Sequence, residues 1–141
     1  MVSVVVREQY VGLVLVSHSR EIAVGLASLV GQIAGPHVSV RAAGGMPDGS
    51  LGTDGGEVLQ ALRAAANGDG AGAVVLMDLG SSVLAVRAAL GELDAGELER
   101  IAVADAPLVE GAVAAGVIAS TGAPLDDVAA AAREARDVAK L

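Results

Sequence analysis

Apolar residues along the chain alternate between short continuous runs and longer stretches with helical spacing. Short runs rich in β-branched residues are typical of strands buried on both faces, and strict alternation is typical of half-buried strands. These runs predict four strands, at 11–16 (VGLVLV), 37–41 (HVSVR), 71–78 (AGAVVLMD) and 100–104 (RIAVA). Elsewhere apolar residues return every three or four positions, which predicts helices over about 20–34, about 55–67, from Ser81 or Ser82 onward, over about 109–120 and from Pro124 onward.

Strands that alternate with helices predict a single α/β domain. Parallel neighbours need long crossover connections, so the repeated strand–helix unit indicates an open, mainly parallel four-stranded sheet with helices on both faces. The first residues offer an additional edge strand as an alternative. The glycine-rich stretch 42–56 predicts a long loop, and Asp54 predicts the cap of the helix that follows it. In an open sheet of this kind, ligands and chemistry lie at the carboxyl ends of the strands.

Composition and charge remove several classes of function. The net charge is −8 and Lys140 is the single lysine, so we expect no nucleic-acid partner. The chain has no cysteine, which excludes disulfides and thiolate metal sites and fits a reducing compartment. No window of about 18 residues is apolar throughout, and the N-terminus lacks the pattern of a signal peptide. We therefore expect a cytoplasmic protein with no membrane insertion.

Polar residues follow three of the predicted strands directly. The first strand runs into Ser17-His18-Ser19, the third ends in Asp78, and the fourth is followed by Asp105. Because the carboxyl ends of parallel strands meet at one edge, we expect these groups to converge there, with Thr53 in the loop after strand two. His37 begins strand two at the opposite edge, so we expect it to be structural or solvated.

Several roles are open to His18. Two distant histidines without cysteine argue against zinc, and no G-K-[ST] motif is present for a P-loop. A triad with Ser17 or Ser19 lacks the G-x-S-x-G elbow, and a purely structural histidine is the plain alternative. A nucleophile that carries a phosphoryl group fits an imidazole that is largely neutral at neutral pH. Asp78 would then accept the proton of the other ring nitrogen, unless it is only a helix-start residue.

Four motifs occur in one order along the chain: VGLVLVSHSR (11–20), GSLGTD (49–54), VVLMDLGSS (74–82) and APLVEG (106–111). With them the chain resembles, over about residues 11–139, the DhaM family of phosphotransferase subunits of phosphoenolpyruvate-dependent dihydroxyacetone kinases. The resemblance is to their EIIA domain, which is similar to the EIIA domain of mannose-type sugar transport systems. It implies a four-stranded parallel sheet with flanking helices and, as a rule, a homodimer.

The resemblance also implies roles for individual residues. His18 would accept a phosphoryl group from phospho-HPr and pass it to ADP held on a second kinase subunit, and Asp78 would orient the ring. The predicted phosphoryl-binding residues beside the histidine are Ser19, Thr53, Gly80 and Ser81. Glu110 would lie near the subunit surface or the rim of the site. The resemblance implies no metal and no cofactor bound by this subunit.

Domain organisation and partners follow from the same resemblance. Residues 11–141 are predicted to form the EIIA-type phosphotransfer domain, and residues 1–10 an N-terminal extension. A misassigned start, an edge strand and a disordered segment stay open for that extension. Some family members carry HPr-like and enzyme I-like domains after the EIIA domain, so we expect separate carrier proteins here. The alternatives are an EIIA domain that serves a mannose-type transporter and a non-catalytic binding module in which His18 only bonds a ligand.

Overall fold

A computed structural model describes residues 9–141 of the chain. The strands are β1 (Gly12–Ser17), β2 (Val40–Gly44), β3 (Ala73–Met77) and β4 (Ile101–Val103), and the helices are α1 (Arg20–Ala34), α2 (Gly55–Asn67), α3 (Ser81–Glu92), α4 (Ala95–Glu99), α5 (Leu108–Ala119) and α6 (Leu125–Glu134), with a 3-10 turn at Ala135–Asp137. All strand pairs are parallel, in the order β2-β1-β3-β4. The predicted α/β class and parallel sheet are confirmed, while the alternative of an edge strand from the first residues falls mostly outside the described part.

Helices cover both faces of the sheet because the strands are apolar on both faces. Side chains of a strand point alternately to opposite sides, so Leu13 and Leu15 pack with α1, α5 and α6, whereas Val14 and Val16 pack with α2 and α3. The largest fully buried side chains are all leucine and valine. An aliphatic core of this kind accounts for the near absence of aromatic residues in the composition.

The order of the strands creates a crevice at the centre of the sheet. From β1 the chain crosses to β2 on one side and then returns past β1 to β3 on the other side. The connections therefore diverge at the carboxyl ends of β1 and β3, and such a switch point is where open α/β sheets bind ligands. His18 follows β1 and Asp78 follows β3, so the fold places both residues at this crevice.

The boundaries of several elements differ from those predicted. Strand β2 covers Val40–Gly44 instead of 37–41, because it pairs with β1 up to the end of that strand, from Leu13↔Val40 to Ser17↔Gly44. Alanine and glycine have low strand propensity, which made residues 42–44 resemble a loop. Strands β3 and β4 are shorter than the predicted 71–78 and 100–104. Helix α4 was not predicted, although Asp94 and Glu97 form a capping box at its start.

Gly44 is required by a close approach of two backbone segments. A Cβ atom at Gly44 would lie 2.8 Å from the carbonyl oxygens of Ser17 and Ser19. These atoms belong to the turn that carries His18 and cannot move freely. We therefore expect Gly44→Ala to lower the free energy of unfolding by about 1–3 kcal/mol, as measured by urea denaturation.

The matched control is Gly25→Ala in the middle of α1. A Cβ atom there meets nothing within 4 Å, so the substitution should raise stability by about 0.5–1 kcal/mol through helix propensity. A Gly44→Ala protein as stable as the wild type would show that the turn after β1 can yield without cost.

Candidate active site

His18 lies in the short turn between β1 and α1, at the carboxyl edge of the sheet. Ser19 caps the helix, since its hydroxyl accepts a hydrogen bond from the backbone N–H of Ile22 at 3.4 Å. The carbonyl oxygen of His18 accepts a 2.8 Å hydrogen bond from the N–H of Gly52, which ties the turn to the loop after β2. The imidazole side chain is 29% exposed and can be reached from outside.

Asp78 contacts the imidazole directly. It follows β3, and its N–H donates to the carbonyl of Val16, so the sheet ladder extends to the site. Its Oδ2 lies 2.6 Å from Nδ1 of His18, and no bond to the other ring nitrogen, Nε2, is found within residues 9–141. An ionised carboxylate only accepts hydrogen bonds. Nδ1 therefore carries the ring proton, and Nε2 presents its lone pair at the open edge.

The carboxylate of Asp78 is held by more donors than His18 alone. The hydroxyl of Ser17 donates to Oδ2 at 2.7 Å, and that of Ser82 donates to Oδ1 at 2.6 Å. The backbone N–H of Leu79 donates to Oδ1 at 2.7 Å, and that of His18 donates at 3.2–3.3 Å. Burial alone raises the pKa of Asp78, but the bonds from Ser82, Ser17, Leu79 and His18 outweigh it and lower the pKa to about 2. Asp78 is therefore ionised at neutral pH.

Ser17 and Ser82 are the site residues whose bonds to Asp78 the sequence did not reveal. Both are fully buried, and a buried hydroxyl needs a partner. The available signal was a serine at the end of an otherwise apolar strand and a second serine one helical turn after Asp78. Sequence patterns give no distance between Ser17 and Asp78, which are 61 positions apart, so the pairing of these two residues could not be deduced.

The loop after β2 meets the start of α3 beside the histidine. The hydroxyls of Thr53 and Ser81 lie 2.9 Å apart and share a hydrogen bond. The prediction that Ser81 or Ser82 caps α3 is wrong, because the cap position is Gly80, which has φ +55 and no side-chain bond. Ser81 is engaged with Thr53, and Ser82 with Asp78. Within the described residues, the backbone N–H groups of Gly80 and Ser81 make no hydrogen bond.

Ser19 is turned toward its own helix. Besides capping α1, its hydroxyl donates to Oε2 of Glu21 at 3.3 Å, and the residue is 8% exposed. The structure therefore shows a capping role for Ser19, and phosphoryl binding by this residue stays a prediction. The predicted cap of α2 is confirmed, since Asp54 accepts a hydrogen bond from the N–H of Gly56 at 3.1 Å.

Three other residues singled out by the sequence lie outside this network. Asp105 makes no bond to His18 and instead forms an ion pair with Arg136 at 3.6 Å. Glu110 lies in the first turn of α5 and pairs with Lys140 at 3.1 Å; its pKa is lowered by its own backbone N–H and by Lys140. His37 stacks on Tyr10 with ring centroids 5.1 Å apart, which agrees with a structural role.

A cavity of about 450 Å³ adjoins Asp78. Its walls come from α3 and the end of β4 and are mostly aliphatic, with Arg87 and Asp105 as charged groups. Among residues 9–141, no three histidine, aspartate or glutamate side chains gather as a metal-binding group. None of the helices in this part of the chain has the length and apolarity needed to cross a bilayer.

Comparison with known protein families gives a match over most of the chain. Residues 12–129 match the model of the EIIA-man family, described as the PTS system fructose IIA component. A phosphoryl donor subunit DhaM of a PEP-dependent dihydroxyacetone kinase from Pantoea ananatis is 40% identical over 121 residues, which cover 84% of this chain and 25% of that protein. The chain thus spans about a quarter of the length of this relative.

Shorter relatives match over most of their own length. A DhaM phosphoryl donor subunit from Listeria innocua is 36% identical, with 76% of this chain and 84% of the relative covered. A DhaM phosphotransferase subunit of a PTS-dependent dihydroxyacetone kinase from Lactococcus lactis is 30% identical, with 83% and 89% covered.

Two solved structures share the fold. The crystal structure of the unknown function protein EF1359 superimposes with a TM-score of 0.77 at 31% identity, over 89% of this chain and 94% of that one. The crystal structure of a sigma-54 interaction domain protein from Enterococcus faecalis has a TM-score of 0.68 at 16% identity, over 93% of both chains, and shows the fold alone. Fold, motifs and relatives agree: the chain belongs to the EIIA-man family and, within it, to the DhaM phosphotransferase subunits.

Proposed function

We propose that this chain is the phosphohistidine relay subunit of a dihydroxyacetone kinase. It takes a phosphoryl group from phospho-HPr on Nε2 of His18 and passes it to ADP bound on the kinase subunit, where the ATP formed phosphorylates dihydroxyacetone. The observation that carries the proposal is the 2.6 Å contact between Nδ1 and Asp78 at the open edge of the sheet. The names of the relatives, which describe phosphoryl donor subunits of such kinases, support it.

The transfer needs only groups that the site contains. The Nε2 lone pair attacks phosphorus, and the bond between phosphorus and the histidine nitrogen of the carrier breaks, so that the carrier ring leaves with the electron pair. Nδ1 of His18 keeps its proton, and the positive charge that the ring gains is offset by the carboxylate of Asp78. In the second step an oxygen of the β-phosphate of ADP attacks phosphorus, and Nε2 leaves with its electron pair as a neutral imidazole.

The surroundings of the ring supply candidate contacts for the phosphoryl oxygens. The N–H groups of Gly80 and Ser81 lie at the start of α3, where backbone donors and the helix dipole favour an anion. The hydroxyls of Thr53 and Ser81 are close enough together to act on one group. We also propose Ser19 as a ligand of the phosphoryl group, because it directly follows His18. We propose that this subunit works without a bound metal ion or cofactor.

The rim of the site is apolar in a way that suits protein partners. Three exposed leucines surround it. Leu51, in the loop after β2, is 71% exposed, and Leu79, directly after Asp78, is 60% exposed. Leu84, in the first turn of α3, is 67% exposed. Exposed aliphatic residues grouped around a site are typical of surfaces that contact another protein. We propose that HPr and the kinase subunit reach His18 across this rim, that the chain works in the cytoplasm, and that it forms a homodimer.

The second candidate is an EIIA domain of a sugar transport system. It is favoured by the description of the matching family, the PTS system fructose IIA component. The reaction at His18 would be the same, and only the acceptor would differ. A phosphorylated chain that donates to a transporter subunit and not to a kinase subunit with ADP would favour this candidate.

One labelling experiment tests the proposal. The chain is incubated with ³²P-phosphoenolpyruvate, enzyme I and HPr, and we expect label that is stable in base and labile in acid, as phosphohistidine is. Addition of the kinase subunit with ADP should then remove the label and, with dihydroxyacetone present, transfer it to the triose. Label that forms but is not discharged would contradict the kinase acceptor. A chain that no HPr can label, but that binds a small anion, would favour a non-catalytic binding module.

A further inference from the structure

We propose that Ser17 and Ser82 are positioning residues that act through Asp78. They fix the orientation of its carboxylate and weaken the attraction of that carboxylate for a proton on the ring of His18. The inference rests on the proposed function, since it concerns how readily His18 takes a phosphoryl group. It assigns a task to two buried hydroxyls that the transfer step itself does not use. Neither serine bonds to the imidazole, so any effect on His18 must pass through the carboxylate or the backbone.

The two hydroxyls donate to different oxygens of the carboxylate. Ser17, at the end of β1, bonds to Oδ2, and Ser82, in the first turn of α3, bonds to Oδ1. The terminal torsion of aspartate is broad, and the other groups within residues 9–141 that hold this carboxylate are the backbone N–H groups of Leu79 and His18 and the imidazole itself. With one hydroxyl on each oxygen, the plane of the group is fixed, and Oδ2 stays aimed at Nδ1.

The direction of each hydrogen bond follows from the donors available. The Ser17 hydroxyl accepts from the N–H of Ser19 at 3.0 Å, so its own proton is free for Oδ2. The Ser82 hydroxyl lies 2.6 Å from Oδ1 and 2.9 Å from the carbonyl of Leu79, and its single proton goes to the nearer, charged acceptor. These two successive hydrogen bonds, from Ser19 to Ser17 and from Ser17 to Asp78, link the start of α1 to the carboxylate.

The hydroxyls also set how strongly Asp78 attracts a proton onto the ring. A carboxylate at hydrogen-bond distance favours the protonated imidazole, which has no lone pair on Nε2 and cannot attack phosphorus. Hydrogen bonds from the two serines spread the negative charge of the carboxylate and weaken this preference. The ring is then still held by Asp78, and the charge that it gains on transfer is still offset by the carboxylate.

Other charged groups around the carboxylate are few. Arg87 on α3 and Asp105 after β4 line the neighbouring cavity, and Arg20 and Glu21 begin α1. Glu57 on α2 is paired with Arg20 at 3.5 Å. None of these side chains hydrogen-bonds to Asp78 within the described residues. The serines are therefore the side chains, besides His18, that control this carboxylate directly.

The test compares Ser82→Ala with the wild type in the rate of labelling by phospho-HPr as a function of pH. We expect the rate at neutral pH to fall about three- to tenfold and the acid side of the profile to move up by about 0.5 pH unit, with KM for phospho-HPr unchanged. Ser17→Ala should move the profile in the same direction. Ser28→Ala, an exposed serine on α1, is the matched control and should change nothing.

A double-mutant cycle separates positioning from a general structural effect. In the Asp78→Asn background the carboxylate is already gone, so Ser82→Ala should change the rate by less than about twofold. A loss as large as in the wild-type background, or an unmoved pH profile, would overturn the proposal.

NMR spectroscopy of the imidazole provides a test that is independent of the proposed function. The chain has two histidines, so His37 serves as an internal reference for His18. We expect the ring nitrogen signals of His18 to shift in Ser82→Ala relative to the wild type, because the hydrogen bond between Nδ1 and Asp78 changes, and the His37 signals not to move. This holds even if no HPr labels the chain, in which case the function fails and the serine proposal stands. Unchanged His18 signals would contradict the proposal about the serines and would leave the proposed function unaffected.

Discussion

His18→Gln should remain folded and lose the ability to take a phosphoryl group from phospho-HPr. The side-chain amide of glutamine can still donate to Asp78, but it has no nucleophilic nitrogen to replace Nε2. We expect the rate of labelling to fall by at least about a thousandfold, with the urea unfolding curve little changed. The measurement is the initial rate of ³²P incorporation with enzyme I and HPr in excess.

His37→Gln is the matched control for this variant. His37 stacks on Tyr10 and lies before β2, at the amino edge of the sheet. Its replacement should leave the labelling rate within about twofold of the wild type, as expected for a surface change away from the site. Acid-labile label that persists in His18→Gln and disappears in His37→Gln would reverse the assignment of the two histidines.

Asp78→Asn should slow labelling of His18 about 100-fold or more while leaving KM for phospho-HPr largely unchanged. Asparagine has nearly the same shape, and Ser17 and Ser82 can rotate their hydroxyls to suit it. The variant lacks the negative charge that fixes the proton on Nδ1 and offsets the charge gained by the ring. A transfer rate equal to that of the wild type would remove Asp78 from the mechanism.

The same variant has a signature in stability as a function of pH. The pKa of Asp78 is lowered from 3.8 to about 2 in the folded chain. A lowered carboxyl pKa adds stability that is fully present above the unfolded value and is lost as pH falls toward the folded value. The wild type should therefore lose its advantage over Asp78→Asn between about pH 4 and pH 2, as measured by urea unfolding at several pH values. A difference in stability that is constant through this window would contradict the ionised, hydrogen-bonded state of Asp78.

The sequence was most informative about the centre of the sheet. The apolar runs of β1 and β3 are long and β-branched, so their carboxyl ends, and with them His18 and Asp78, could be located from pattern alone. Strand β2 was placed too early because Ala42, Ala43 and Gly44 carry little strand propensity. Their conformation is set by pairing with β1 and by the lack of space at Gly44, which are properties of the folded chain.

Helical patterns also left open which side chains are buried. In α1 the spacing of Ile22, Leu29 and Ile33 agrees with a helix, which is confirmed, yet each is 45–46% exposed while Leu26 and Val30 enter the core. A helix that lies on one face of a sheet buries only one stripe. The sequence does not show how wide the buried stripe is, because its width depends on where neighbouring helices pack against α1.

The continuation of the β1–β3 ladder into the site has a consequence for its dynamics. Asp78 bonds to Val16 through the backbone, directly beyond the last registered pair of these central strands. The innermost strands of a domain open only when the whole domain does, whereas edges and surface loops fray far more often. The backbone positions that carry the carboxylate and the imidazole therefore keep their spacing for as long as the chain stays folded. It is set before any partner arrives and needs no induced fit.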